Sequence, residues 1–132
     1  YPIIDLEEFN IGIKSYISML EDVVIETLKH FGIKGEKDGK AMGVWIDASN
    51  NIKARKICAI GVKASRYITM HGLALNVNTN LSYFDYINPC GFTDRGVTSM
   101  EKELNRKVDF KEVSNTMRDA FQNVFGLKWV EP

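Results

Sequence analysis

The chain has 132 residues, 45% hydrophobic and 26% charged, and its 17 basic side chains balance its 17 acidic ones. That size predicts one domain, residues 1–132, with a real core, and the composition excludes a disordered or collagen-like chain. The charge balance gives no electrostatic footprint for nucleic acid or an anionic membrane, and no apolar run approaches the ~20 residues of a membrane-spanning helix.

Ile13, Tyr16, Ile17, Leu20, Val24, Leu28 and Phe31 recur at helical spacing, and Gly32 follows as a C-cap, so a long amphipathic helix is predicted first. Residues 34–43, "KGEKDGKAMG", are rich in Lys and Gly and read as an exposed connection. "VWID" reads as a short strand and "ASNN" as a turn. "IKARKICAIGVKA" is a second strand and, after a short link around Ser65, "RYITMHGLALNVN" a third. Asn80 is placed to cap one or two helical turns that Pro89 ends, and Thr98 and Ser99 to cap a short helix through "MEKELN". Asp109 with Glu112 forms a D-x-x-E capping pattern for a last helix. Its apolar stripe is Phe110, Val113, Met117, Ala120, Phe121 and Val124, and Gly126 stops it. One helix, three strands and then helices is an α+β order.

Two cysteines, Cys58 and Cys90, are too few for a disulfide framework, which predicts a reducing, cytoplasmic setting. Cys90 stands between Pro89 and Gly91 in "NPCGFTDRGVTS". Proline fixes φ and glycine opens angles closed to other residues, so the stretch should turn sharply and present the thiol. A lone cysteine is more often a small buried hydrophobe than a nucleophile, and reactivity requires an electropositive neighbour.

Strict alternation along "IKARKICAIGV" puts Lys56 on the face of Cys58, Ile60 and Val62, with Ile57, Ala59 and Gly61 on the other. Burial on such a face would disfavour the ammonium and suit a general base. The alternative is a stem lying on the sheet with its amine in water. In "HGLALN", Gly72 and Ala74 leave room on one face of the third strand for something narrow, such as an alkyl chain, or for a closely packed helix. His71 is either a base for Cys90 or a hydrogen-bonded structural histidine. The histidines and cysteines fall in no metal-ligand spacing, and neither a phosphate loop nor a dinucleotide fingerprint occurs, so the chemistry is expected to need no metal or nucleotide cofactor.

"KICAIGVKASRYITMHGLALNVNTNLSYFDYINPCG" closely resembles the core of the lipoyl(octanoyl) transferases, or lipoate-protein ligase B, with their K-[IL]-x-x-[IL]-G, H-G-x-A-L-N and P-C-G motifs in order. The opening "YP", the long helix ending in "FGI", the "GVW" strand and the "TS" after the cysteine fit the same family. The resemblance implies an α+β fold with a mixed β-sheet flanked by helices, like the biotin/lipoate ligases and the class II aminoacyl-tRNA synthetases. It implies transfer of an octanoyl group from octanoyl-acyl carrier protein to a lysine of a lipoyl domain, in 2-oxoacid dehydrogenases and the glycine cleavage H protein, without a cofactor.

Under that resemblance the acyl-thioester cysteine falls on Cys90 and the catalytic lysine on Lys56. Substrate-binding segments fall on Ala59, Ile60 and Gly61 and on Gly72, Leu73 and Ala74, with His71 and Asn76 as possible support. Family members carry an R-G-G…H-G-P-G-Q segment just before the position of Tyr1, so the sequence resembles the C-terminal part of a transferase. The strands of that segment are expected to pair within residues 43–78. An ATP-dependent lipoate or biotin ligase and a non-catalytic acyl- or lipoyl-domain-binding fragment are the competing readings.

Overall fold

The computed structural model of the chain describes residues 1–86 and 95–130. The first helix, α1 (Ile13–His30), ends where the sequence places its stop. Gly32 holds φ at +79°, its N–H donates to the Lys29 carbonyl at 3.0 Å, and the Ile33 N–H reaches back to Leu28 at 3.0 Å. Two orphan carbonyls are satisfied in one reversal of the chain, a turn that a side chain at Gly32 would strain.

Residues 34–43 are more than a connection. They contain the edge strand β1 (Glu36–Asp38) and the start of β2 (Ala41–Ile46), paired antiparallel with Glu36 opposite Trp45. Charged residues such as the exposed Lys37 are ordinary on an edge strand, where they discourage further pairing, so the polar composition concealed a strand. β3 (Arg55–Ser65) and β4 (Ile68–Leu75) form a long antiparallel hairpin closed through Arg66 and Tyr67, both at positive φ, 49° and 66°. β5 (Gly96–Val97) lies parallel to the start of β3, which makes the sheet mixed, in the order β1-β2-β3-β4 with β5 beside β3.

β2 follows β3 only as far as Cys58. From Ala59 onward the one strand pairing β3 among the described residues is β4. The outer edge of β4 takes the N-terminal residues, Leu6 N–H donating to Tyr67 and Thr69 N–H to Ile4, each at 2.9 Å.

The helices cover one face of this sheet. Leu20, Val24 and Leu28 of α1 meet Val44, Ile46, Ile57, Cys58 and Ile60 of the strands. Val113, Ala120 and Phe125 of α3 (Phe110–Phe125) close the same core. Fully burying each Leu or Val side chain stabilises the fold by about 1.5–3 kcal/mol. Asp109 caps α3 by accepting from the Lys111 N–H at 2.9 Å, and Gly126 ends it at φ 64°. Phe110 leaves the expected stripe, being 69% exposed at the first position of the helix, ahead of the turn that meets the core. Ser99 caps α2 (Met100–Leu104), and Asn80 caps a 3-10 helix, Leu81–Tyr86, through Ser82. Among the described residues no helix is long and apolar enough to cross a membrane.

Candidate active site

The β2–β3 pairing contains an irregularity that decides where Lys56 goes. Val44 lies opposite Cys58, but the next residue, Trp45, lies opposite Lys56, so Ile57 is an extra residue on β3. A bulge of this kind turns two consecutive side chains towards one face. Ile57 and Cys58 accordingly both belong to the core. Lys56 therefore emerges on the opposite face, with Trp45, Ala59 and Gly61. The alternation expected from the sequence, with Lys56 beside Cys58, Ile60 and Val62, is overturned by one inserted residue.

On that second face the register sets Ala59 opposite Ala74 and Gly61 opposite Gly72. Ala59, Gly61 and Ala74 are exposed, and a Cβ built at Gly61 meets nothing within 4 Å. Gly72 differs, because a Cβ there would lie 2.9 Å from Pro2 Cδ and 3.2 Å from Tyr1 Cα. Its missing side chain is filled by the N-terminal residues and leaves no gap for an alkyl chain. Ile60 and Leu73 turn to the core side and offer only backbone to the open face.

Lys56 is partly buried, with Nζ 4.7 Å from the centroid of the Trp45 ring. Trp45 is 2% exposed yet stands outside the hydrophobic core cluster, because it lies on the other side of the sheet. The guanidinium carbon of Arg95 approaches the same ring at 5.0 Å, and Arg95 pairs with Asp38 of β1. In the sequence "GVW" reads only as a strand, and nothing there marks Asp38 or Arg95. The available signal was a tryptophan two residues after Gly43, on the strand that precedes the lysine's.

Asn76 secures the far end of β4. Its Nδ2 donates to the Thr98 carbonyl at 3.0 Å, its own N–H to Ile57 at 3.0 Å, and its carbonyl accepts from Met100 at 2.9 Å. The Thr98 N–H donates in turn to the Lys56 carbonyl at 2.9 Å. Arg55 holds Glu103 through two bonds of 2.6 Å and reaches Asp47 at 2.6 Å, while Thr98 Oγ1 donates to Glu103 at 2.5 Å. The hydrogen bond from Arg55, aided by that from Thr98, holds the Glu103 carboxyl below its ordinary range despite burial. Thr98 and Asn76 thus hold the backbone at Lys56 and Ile57.

His71 stands opposite Val62, six residues along β3 from Lys56, or about 20 Å at a strand rise of ~3.3 Å. It is exposed and at φ 66°. The structure does not bring it to Lys56. Burial pushes the Cys58 thiol up to about 12, so at neutral pH it is a protonated packing group. Cys90, the nucleophile expected from the P-C-G turn, lies outside the described residues. Among the described residues no group of three or more His, Cys, Asp and Glu side chains is arranged to hold a metal ion.

Solved structures of similar architecture include biotin and lipoate ligases. The chain matches biotin protein ligase from Aquifex aeolicus with a TM-score of 0.70 at 18% identity, over 94% of this chain and 50% of that one. It matches the bi-partite lipoate protein ligase of Thermoplasma acidophilum with a TM-score of 0.71 at 16% identity, over 92% and 49%. At these identities the likeness shows the fold alone, an α+β fold that the chain shares with those proteins. Sequence narrows it: residues 1–122 match the lipoyl protein ligase A/B catalytic domain, and the chain belongs to that family.

Among its relatives, the octanoyltransferase of Porphyromonas gingivalis is 56% identical over 126 residues, and that of Parabacteroides distasonis 54% identical over 125. These alignments take in 96% and 95% of the chain but only 26% and 57% of the relatives' length.

Proposed function

We propose that the chain is the thiol- and lysine-bearing part of an octanoyltransferase of lipoate biosynthesis. The observation that carries this reading is the bulge at Ile57, which moves Lys56 onto the face where Ala59, Gly61 and Ala74 leave open backbone. A narrow apolar chain fits against such a face, and an amine at its end is placed to act on the acyl carbonyl. The octanoyltransferase names of relatives above 50% identity support the same reaction.

In the proposed sequence the Cys90 thiolate, stabilised by the Lys56 ammonium, attacks the thioester of octanoyl-acyl carrier protein. The sulfur–carbonyl bond of the donor breaks, the phosphopantetheine thiolate leaves and takes the proton from Lys56, and octanoyl-Cys90 remains. The lysine amine of a lipoyl domain, in a 2-oxoacid dehydrogenase or the glycine cleavage H protein, then attacks this second thioester. Neutral Lys56 accepts the amine proton, an amide forms, and the Cys90 thiolate is restored. Thioester to amide is downhill, so no nucleotide is consumed. Ligases of the same fold, one of them solved with biotin and ATP, make nucleotide-driven activation the competing chemistry.

The test is intact-mass analysis of the protein after incubation with octanoyl-acyl carrier protein. One octanoyl group should appear on wild type and be absent from Cys90→Ala, with no ATP required. Lys56→Ala should lower turnover by about 10²- to 10⁴-fold. An adduct that survives in Cys90→Ala, or transfer that depends on ATP, overturns the proposal. Binding of acyl donor without any adduct identifies a non-catalytic fragment.

A further inference from the structure

Lys56 does not lie on the sheet alone. Asp38 of β1 and Arg95, 57 residues apart in sequence, form an ion pair whose side chains are only 10% and 14% exposed. The Arg95 guanidinium and the Lys56 ammonium both approach the Trp45 ring, at 5.0 and 4.7 Å from its centroid. Trp45 is itself fixed, its Nε1 donating to the Ala41 carbonyl at 3.1 Å. The backbone after Arg95 is fixed as well, Gly96 N–H donating to Ala54 at 3.1 Å and Thr98 N–H to Lys56 at 2.9 Å.

Two cations beside one indole repel each other unless one is neutralised, and Asp38 supplies that charge to Arg95. An indole almost free of water holds a cation at the strong end of the cation–π range. Space-filling alone would be met by an apolar partner on the second face. A paired arginine beside the ring instead fixes its orientation.

We propose that Asp38, Trp45 and Arg95 are positioning residues for Lys56. The Asp38–Arg95 pair holds the indole, and the indole seats the lysine amine on the open face of the sheet. The functional meaning rests on the role proposed for Lys56, but the seat is testable without octanoyl transfer.

The experiment is acetylation of the protein by an N-hydroxysuccinimide ester at one fixed pH, with Lys56 followed by peptide mass spectrometry against Lys63, an exposed lysine of the same strand. Trp45→Leu and Arg95→Ala should raise labelling of Lys56 relative to Lys63 by roughly 3- to 30-fold, and Trp45→Phe and Arg95→Lys by less than ~3-fold. In octanoyl transfer the first pair should lower kcat with little change in donor KM. The charge-exchanged Asp38→Arg, Arg95→Asp double variant should recover relative to either single change.

Unchanged Lys56 labelling in folded Trp45→Leu and Arg95→Ala overturns the inference, as does an equal effect of conservative and drastic variants. Should those two variants fail to fold, Asp38→Asn decides: faster Lys56 labelling upholds the seat and an unchanged rate refutes it. Altered labelling in a protein whose wild type transfers no octanoyl group upholds the seat and overturns the proposed function instead.

Discussion

The Cα of Gly43 rests against the carbonyl oxygen of Cys58: a Cβ there would run into that backbone atom, and Gly43 holds φ at +113°. This contact lies beside the bulge that sends Lys56 to the open face, with Lys56 Cε 3.5 Å from the same built Cβ. Gly43→Ala meets both a backbone clash and an unfavourable φ. It should destabilise the fold by about 2–4 kcal/mol, read as a lower urea midpoint. Residual activity should fall further than stability alone accounts for, because the register of Lys56 moves with the strand. A Gly43→Ala protein with wild-type stability would show that the approach of the two strands is not fixed.

Glu21 of α1 is buried and accepts the Gly43 N–H at 3.1 Å. Burial pushes its carboxyl above the ordinary value of 4.5, and the Gly43 hydrogen bond pulls it back only in part. A carboxyl raised on folding holds its proton more tightly in the native state, so this group's contribution to stability declines as pH rises from 4.5 through the folded value. Glu21→Gln keeps an acceptor for Gly43 without the charge. It should leave stability at pH 7 unchanged or raise it by up to ~1 kcal/mol and remove that decline, measured by urea unfolding across pH.

Glu103 has the opposite sign. Its folded value is depressed, first by the Arg55 hydrogen bond, so its contribution is fully present above 4.5 and is lost as pH falls through the lower folded value. Glu103→Gln should cost about 1.5–3 kcal/mol at pH 7, since it weakens charge-assisted bonds to Arg55. Its stability should then fall less steeply than wild type on acidification below pH 4.5. Parallel acid profiles for the two proteins would remove Glu103 from the acid response.

Both long helices were legible because their signals are local. The stripe from Tyr16 to Leu28 repeats every three or four residues, and Gly32, Asp109 and Gly126 mark ends through their own backbone angles or side chains. The α+β order and the small residues on β3 and β4 were readable for the same reason. The face of Lys56 was not, because a one-residue bulge is set by pairing between β2 and β3 and leaves no mark on the alternation of β3 itself. Strand β1 was hidden by its charges. Asp38 and Arg95, each unremarkable alone, acquire meaning only when folding brings them to Trp45.

The β3–β4 turn uses two residues in a conformation that side chains resist. Arg66 and Tyr67 sit at φ 49° and 66° between the paired residues Ser65 and Ile68. Two-residue hairpins of this form favour Asn-Gly, since glycine adopts positive φ without strain. The double change Arg66→Asn, Tyr67→Gly should therefore raise stability by about 1 kcal/mol, measured as a higher melting temperature. The turn closes the end of the hairpin remote from Lys56, so kcat should not change. Loss of stability would show that the exposed Tyr67 side chain makes a contact outweighing the strain.

Gly61 and Gly72 face each other across β3 and β4, yet their surroundings give opposite expectations. A side chain at Gly61 enters open space at an unstrained φ, whereas one at Gly72 meets Pro2 and Tyr1 at 2.9 and 3.2 Å. Gly61→Val should leave the fold unchanged or up to ~1 kcal/mol more stable, because a β-branched residue suits a strand and restricts the unfolded chain. If the octanoyl chain lies on this face, the same valine occupies its path. Transfer should then slow for an octanoyl donor far more than for an acetyl or butyryl donor. Gly72→Ala should do the reverse, destabilising the fold by about 1–3 kcal/mol through overpacking with no change in chain-length preference. Melting curves and transfer rates with donors of two, four and eight carbons, taken about tenfold apart in concentration to separate kcat from KM, distinguish the cases. A Gly61→Val protein that transfers all three donors like wild type would place the acyl chain elsewhere.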